Sequence, residues 1–427
     1  MTRFIFLIII FPLLLFSCRV QQQPGRPNIV LIMADDLGYE CLGCDGGTSY
    51  ATPNLDRLAD AGLRFRYCFS QPLCTPSRVQ LMTGKYNYRN YTAFGILKKG
   101  EKTFANIFQE AGYKTGIAGK WQLYGSTDQK ALKGTGTLPH EAGFDEFCLW
   151  QIDLRGSRYA DPIIYYNSLT PDTLTGKYGP DIFMAFIEDF LTRHRQKPFF
   201  LYYPMVLPHA PHMPTPDSPE WKTNRYKRDN RFFADMVAYV DKNVGLIIQK
   251  LDELGLRSNT LVIFTGDNGT NRAIVSMMGD KAVHGGKGLT LLTGTHVPLI
   301  MNWPGHIAGG QVSGKYVDFT DFLPTLLDVA DIHKPDDFFT DGHSIARLIE
   351  GKHMSGRKWV YCYYDPKWAK FKYARFVYTP FYKLYDDGRF INLTTDEMEK
   401  HPLPADSLSN REKRIKKRFM KVLNVLK

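Results

Sequence analysis

The clearest pattern in this chain is a set of short apolar runs that each stop at a polar cluster. Asn28-Ile29-Val30-Leu31-Ile32-Met33-Ala34 ends in Asp35-Asp36, as expected of a strand covered on both faces. Three further runs share the design. Residues 260–265 end in Gly266-Asp267-Asn268-Gly269, residues 199–203 lead into Pro208-His209-Ala210-Pro211-His212, and residues 113–118 end in Gly119-Lys120. Helical spacing fills the gaps between them. Thr52 is placed to cap a helix carrying Leu55, Leu58 and Ala59, and Thr103 a helix carrying Phe104, Ile107, Phe108 and Ala111. A longer helix runs from Phe233 through Leu254 to Gly255. Strands alternating with helices predict an α/β fold with a mostly parallel sheet, in which ligands sit beyond the carboxyl ends of the strands. All four polar clusters then share one rim.

After about residue 330 the texture changes to short aromatic runs at 359–364, 373–378 and 382–385, with a strong turn at Asp386-Asp387-Gly388. This predicts a smaller antiparallel subdomain over 331–427, following a main domain over 28–330. At the end of the chain, Ile415, Phe419, Val422 and Leu426 recur at helical spacing beside a basic face, which predicts a terminal helix docked on the body.

The first residues read as an export signal. Arg3 precedes an apolar run over 4–16, short for a membrane span and suited to a signal peptide, and Leu15-Phe16-Ser17-Cys18 has the form of a bacterial lipobox. Residues 1–18 are therefore expected to be a signal peptide and 19–27 a tether, with Cys18 carrying a lipid anchor in the periplasm or at the cell surface. Removing Cys18 and Cys74 from the seven cysteines leaves an odd number, which supports no disulfide framework. Cys41-Leu42-Gly43-Cys44 has no second ligand pair at zinc spacing and reads as structural. A net charge of +11 on 427 residues fits a polyanionic partner, and export makes nucleic acid the least favoured of these.

Two pairs at strand ends, Asp35-Asp36 and Asp267-Asn268, supply three carboxylates and a carboxamide. These are hard oxygen ligands, suited to calcium or magnesium rather than zinc. Pairs of this kind are often only turn and cap residues, but three carboxylates brought close together would repel one another without a cation.

The stretch from Pro72 to Gly84 contains Cys74-Thr75-Pro76-Ser77-Arg78, with a short helix and its glycine stop. It resembles the signature of the formylglycine-dependent sulfatases of the alkaline phosphatase-like superfamily. The resemblance continues through Thr52-Pro53-Asn54-Leu55-Asp56-Arg57-Leu58, Gly116-Ile117-Ala118-Gly119-Lys120-Trp121, Val297-Pro298-Leu299-Ile300 and Lys383-Leu384-Tyr385-Asp386. It implies a mixed, mostly parallel sheet flanked by helices. It also implies that a formylglycine-generating maturation enzyme oxidises Cys74 to formylglycine, whose hydrate is the nucleophile. Calcium, or magnesium in its place, would be held by Asp35, Asp36, Asp267, Asn268 and the modified Cys74. Arg78 would fix the hydrate, Lys120 and Lys287 would bind sulfate oxygens, and His209 with Lys287 would serve the leaving group. The sulfated intermediate would then lose sulfate by elimination.

Two positions depart from the family pattern. Gln122 stands where a histidine is usual, and a glutamine can hydrogen-bond but cannot exchange a proton near neutral pH. His296 stands where arginine is common and reads as structural. His212 and His284 read as rim or structural residues. The expected activity is hydrolysis of sulfate monoesters, with a sugar favoured as the carrier by the basic, aromatic-rich character of the exported chain. The rivals are a phosphodiester or phosphonate monoester hydrolase and a non-catalytic lipoprotein that binds sulfated glycans. Residues 128–161 and 213–231 are the expected pocket-lining loops.

Overall fold

The structure, a computed structural model, describes residues 25–426; the expected signal peptide, lipobox and most of the tether lie outside them. At its centre the strand Asn28–Ala34 lies between Phe199–Pro204 and Thr260–Gly266, parallel to both. Lys114–Lys120 and Glu146–Trp150 extend the parallel set beyond Phe199–Pro204. The registers pair Ala34 with Gly266 and Met33 with Pro204, so these strands end together and their polar extensions meet on one rim. Further strands complete a ten-stranded mixed sheet at both sides, among them His296–Asn302, antiparallel to Thr260–Gly266.

Strand geometry explains the unbroken apolar runs. Successive side chains point to opposite faces, so Ile29, Leu31 and Met33 enter one core while Val30, Ile32 and Ala34 enter the other. Both cores are roofed by helices. Pro53–Asp60, Gly179–Arg193 and Phe232–Glu253 cover one face, and Cys74–Thr83, Phe104–Glu110 and Phe322–Val329 the other. Thr103 caps its helix in a reciprocal capping box with Asn106. Thr52 does not cap. Its hydroxyl instead accepts from the Gly43 amide at 2.9 Å and donates to Asp56 at 3.1 Å, tying the helix to the loop after the central strand.

The C-terminal part forms a four-stranded antiparallel sheet from Val360–Tyr364, Ala374–Tyr378, Tyr382–Tyr385 and Phe390–Asn392. One face packs against Phe69 and Leu73 of the main body. The helix Asn410–Val425 covers the other through Phe419 and Leu423. Phe338, Ile345 and Ile349 still pack into a core of the large sheet, so the small sheet gathers its own core only after them. Among the described residues no helix is long and apolar enough to cross a membrane, and no cysteine is disulfide-bonded.

Glu40 is fully buried in the loop after the central strand. Thr270 donates to one of its carboxylate oxygens and the other has no partner. Burial pushes its carboxyl from 4.5 up to about 7. A carboxyl raised on folding stabilises fully below its unfolded value, and that contribution is lost as pH rises from about 4.5 through about 7. Glu40→Gln is therefore expected to stabilise the protein by up to about 3 kcal/mol at pH 8 and to have little effect at pH 4. Chemical denaturation at the two pH values checks this, and an equal effect at both would contradict it.

Candidate functional site

The shared rim gathers the acidic residues first. The Asp35 amide donates to Leu207 and the Asp267 amide to Ala34, so three strand ends are stitched together where the carboxylates emerge. Asp36 has a left-handed backbone (φ 69°), a conformation that aspartate tolerates, and its amide donates to Asp267 at 2.9 Å. Ligand atoms of Asp35, Asp267 and Cys74 lie within 4.8 Å of one another, as do those of Asp35, Asp36 and His209. Asn268 donates to Asp36 at 2.9 Å, while its side-chain oxygen is buried and has no partner. A buried carbonyl oxygen without a donor, set among carboxylate oxygens, fits a hard divalent cation.

Positive groups close round this cluster. Lys120 reaches both Asp35 oxygens, at 3.0 and 2.8 Å, and Lys287 reaches Asp36 at 2.6 Å. Burial pushes the Asp35 carboxyl up, but Lys120, His209, Lys287 and Arg158 together outweigh it and hold Asp35 below the ordinary range. Asp267 shows the reverse balance: burial, then the charges of Asp35 and Asp36, push it well up despite Lys120. Without a cation, the ionised form of Asp267 is therefore disfavoured.

Lys287 also lies 2.8 Å from His209 Nε2. The other ring nitrogen, Nδ1, faces the Ala210 carbonyl, which can only accept, so Nδ1 carries the hydrogen and Nε2 offers its lone pair to the Lys287 ammonium. Burial lowers His209 to about 3, outweighing Asp36. For Lys287, burial is outweighed by Asp36 and its neighbours, and the ammonium is held above its usual range. The pair therefore holds its proton on Lys287, with a neutral His209 orienting the ammonium.

Cys74 is the first residue of the helix Cys74–Thr83, which stops at Gly84 with φ 66°. It is 2% exposed, and burial raises its thiol, so an unmodified Cys74 stays protonated and is a poor nucleophile. Arg78, one helical turn on, does not reach the sulfur directly. Its fork donates to the carbonyls of Trp121 at 2.6 Å and Lys120 at 2.5 Å, fixing the Cys74 helix to the strand end that carries Lys120. Gln122 turns back with φ 48°, bringing its side-chain oxygen 3.9 Å from the Cys74 sulfur.

Cys74, Gln122, His209 and Lys287 line a cleft of about 610 Å³, with the acidic cluster, Lys120 and Arg78 buried outside its lining. Part of its wall comes from residues within 128–158, as the sequence suggests. Residues 213–231 do not line it. Their place is taken by Lys367, Trp368, Ala369 and Phe371 from the small subdomain, where Trp368 packs edge-on against Phe94 at 4.8 Å. Sequence reasoning also missed Arg158. It is buried, lies over the Trp150 ring at 3.8 Å and 3.7 Å from Asp35, and its NH1 has no hydrogen-bond partner. Gln151, in the same wall with φ 59° and an unpartnered side-chain oxygen, was missed as well. Arg158 ends no run of recognisable pattern, whereas Gln151 directly follows the strand Glu146–Trp150 and so carries the same strand-end signal as the other rim residues. His212 bonds Asn230 at 2.9 Å, His284 is exposed on the hairpin strand Lys281–His284, and neither lines the cleft. His296 stacks on Tyr39 at 4.0 Å and bonds the Arg66 carbonyl at 2.9 Å.

The small sheet holds the loop that carries Lys287. Tyr364 donates to the Gly288 carbonyl at 3.2 Å, and Lys383, buried against the Phe376 ring, donates to Thr290 at 2.5 Å and pairs with Glu399. Phe371 rests on Gly288, where an added Cβ would lie 2.2 Å from the ring.

A family model described as Sulfatase matches residues 27–332, and one described as N-sulphoglucosamine sulphohydrolase, C-terminal, matches residues 287–424. The chain is 34% identical to arylsulfatase A of Homo sapiens over 374 residues, covering 79% of this chain and 70% of the relative. It is 33% identical to N-acetylgalactosamine-6-sulfatase of Mus musculus over 370 residues, covering 78% and 68%. Among solved structures, Ps i-CgsB in complex with k-i-k-neocarrahexaose is similar with a TM-score of 0.73 and 24% identity, covering 94% of this chain and 92% of that one. The match spans most of the chain and includes every strand end that builds the rim: the protein belongs to the sulfatase family, in the alkaline phosphatase-like superfamily, and hydrolyses sulfate esters.

Proposed function

We propose that this sulfatase removes sulfate from carbohydrate esters outside the cytoplasm, with Cys74 converted to formylglycine and a calcium ion on the acidic rim. The observation that carries the reading is the cleft itself. Cys74 lies at its floor among cations, and its mouth is framed by Trp368, Phe94 and Arg155, aromatic faces and charge suited to a sulfated sugar. A relative named for a sulfated amino sugar and a structural neighbour bound to a carrageenan oligosaccharide support it. Export, with a lipid anchor at Cys18, accords with the apolar first residues of the chain.

Sulfate transfer needs an attacking oxygen, neutralised non-bridging oxygens and a proton for the leaving oxygen. As formylglycine hydrate, residue 74 supplies the attacking hydroxyl, which the protonated thiol of the unmodified residue does not. Because Cys74 is 2% exposed, the maturation enzyme must reach it before the site closes round it. Asp35, Asp36, Asp267 and Asn268 would hold calcium, which supplies Lewis-acid polarisation there. Lys120, Lys287 and the unpartnered Nη1 of Arg158 would neutralise the anionic sulfate, while Arg78 holds helix and strand end in register. Lys287, whose ammonium is oriented by the lone pair of His209 Nε2, would give its proton to the leaving sugar oxygen. Gln122 holds the hydrate without exchanging protons, so no titrating imidazole stands at that position.

The reading is tested by comparing matched sulfated and phosphorylated substrates, aryl and monosaccharide, on purified mature enzyme. The expected result is faster sulfate release, with His209→Ala lowering kcat on the sugar by about 10²–10⁴-fold. A preference for phosphorus would contradict the reaction, and activity on aryl sulfates alone would contradict the sugar.

Calcium binding is expected to release protons, because burial and like charges push the Asp267 carboxyl well up while the ion needs the carboxylate. Falling pH should therefore weaken binding, since proton and ion compete. Calorimetric titration of calcium in two buffers of different protonation enthalpy reads the proton number. An affinity independent of pH, with no proton release, would contradict the assignment.

A further inference from the structure

Beyond Phe371 the catalytic cleft is followed by a second groove of about 540 Å³. Phe371 and Ala369 line both, so one side chain's width of wall separates them. Its floor is Gly288–Leu289–Thr290, the residues immediately after Lys287.

The charge of this groove is one-sided. Arg272, Lys370, Lys372 and Arg389 line it, and no Asp or Glu does among the described residues. Arg389 is neutralised by Asp387 at 2.8 Å, but no carboxylate among the described residues lies within ion-pair reach of the other three. Like charges gathered on one concave face repel one another unless an anion lies between them. The groove also offers ring faces. Tyr373 is half exposed, Tyr364 and Tyr385 form the inner wall, and Arg272 stands 5.7 Å above the Phe371 ring. A concave surface that alternates cations with aromatic rings suits a charged pyranose, whereas a membrane surface would favour a flat basic face with protruding apolar groups.

We propose that this groove is a second binding site, for a further anionic sugar unit of the chain whose scissile sulfate occupies the Cys74 cleft. The inference rests on the carbohydrate reading given above and deepens it: the substrate is a polyanionic oligosaccharide, and a sulfate or carboxylate on a neighbouring unit contributes to affinity through Arg272, Lys370 and Lys372. None of the three touches the reacting groups, so they act on binding and not on bond cleavage.

The test uses the full chain with Cys74→Ala, so that no turnover occurs, with and without Arg272→Ala, Lys370→Ala and Lys372→Ala together. Affinities are measured for hexasaccharides of heparin, chondroitin sulfate and κ-carrageenan, for their monosulfated monosaccharides, and for phosphatidylglycerol vesicles. At least one hexasaccharide should bind more tightly than its monosaccharide, and the triple variant should lose about tenfold or more of that affinity at low salt. Monosaccharide affinity should stay within about twofold, which also shows that the variant is folded. Hexasaccharide binding unmoved by the triple change, equal loss for both sugar sizes, or a loss confined to vesicles would overturn the proposal. Sulfate release by the unsubstituted mature enzyme separates the two readings. If it desulfates sugars while the triple change leaves hexasaccharide binding intact, only the groove fails; if it desulfates aryl esters and no sugar, the carbohydrate reading fails and the groove proposal with it.

Discussion

The structure turns on three carboxylates buried together at one rim of the sheet. At a separation of about 4 Å and an effective dielectric constant of about 20, two like charges repel by about 4 kcal/mol, and Asp35 forms such a pair with each of Asp36 and Asp267. Such a cluster persists only if opposite charge is delivered to the same spot. Lys120 arrives on a neighbouring parallel strand, Lys287 on a loop and Arg158 from an irregular segment. Even so, burial and the neighbouring like charges push the Asp267 carboxyl well up, which leaves a position for a cation's charge. The same electrostatic demand that threatens the fold thus prepares it to receive a divalent ion and an anionic ester beside it.

Rigidity is the second condition. The strands that end at the rim are buried on both faces, so their ends cannot drift without opening one of two cores. The Cys74 helix is fixed to the Lys120 strand end by the Arg78 fork on two carbonyls. The Lys287 loop is held from the other side by the small sheet, through Tyr364 and the buried Lys383. The C-terminal subdomain therefore has two roles: it braces one proton-carrying lysine and supplies the Trp368 wall of the cleft.

Much of the rim was legible in the sequence because it is built from strand ends. An apolar run that stops at Asp35-Asp36, Gly119-Lys120 or Asp267-Asn268 marks both the strand and the polar group at its tip, and parallel pairing brings those tips together. Cys74 was legible as part of a resemblance, since nothing in its local pattern distinguishes it from a buried structural cysteine. Arg158 and Trp368 were not, because they lie on segments without periodicity and reach the cleft only through tertiary packing, whereas Gln151 directly follows the strand Glu146–Trp150 but carries no charge to mark it. Arg78 is instructive in another way. Spacing places it near Cys74, but only the structure shows that its donors serve the backbone of Lys120 and Trp121.

The central claim is that residue 74 acts as formylglycine and not as a thiol. Peptide mass spectrometry across residues 72–84, on protein made with and without a formylglycine-generating enzyme and paired with sulfate release on each preparation, tests it most directly. The account predicts that turnover rises in proportion to the fraction of residue 74 converted to the aldehyde. Full activity in a preparation whose residue 74 is entirely unmodified cysteine would contradict it.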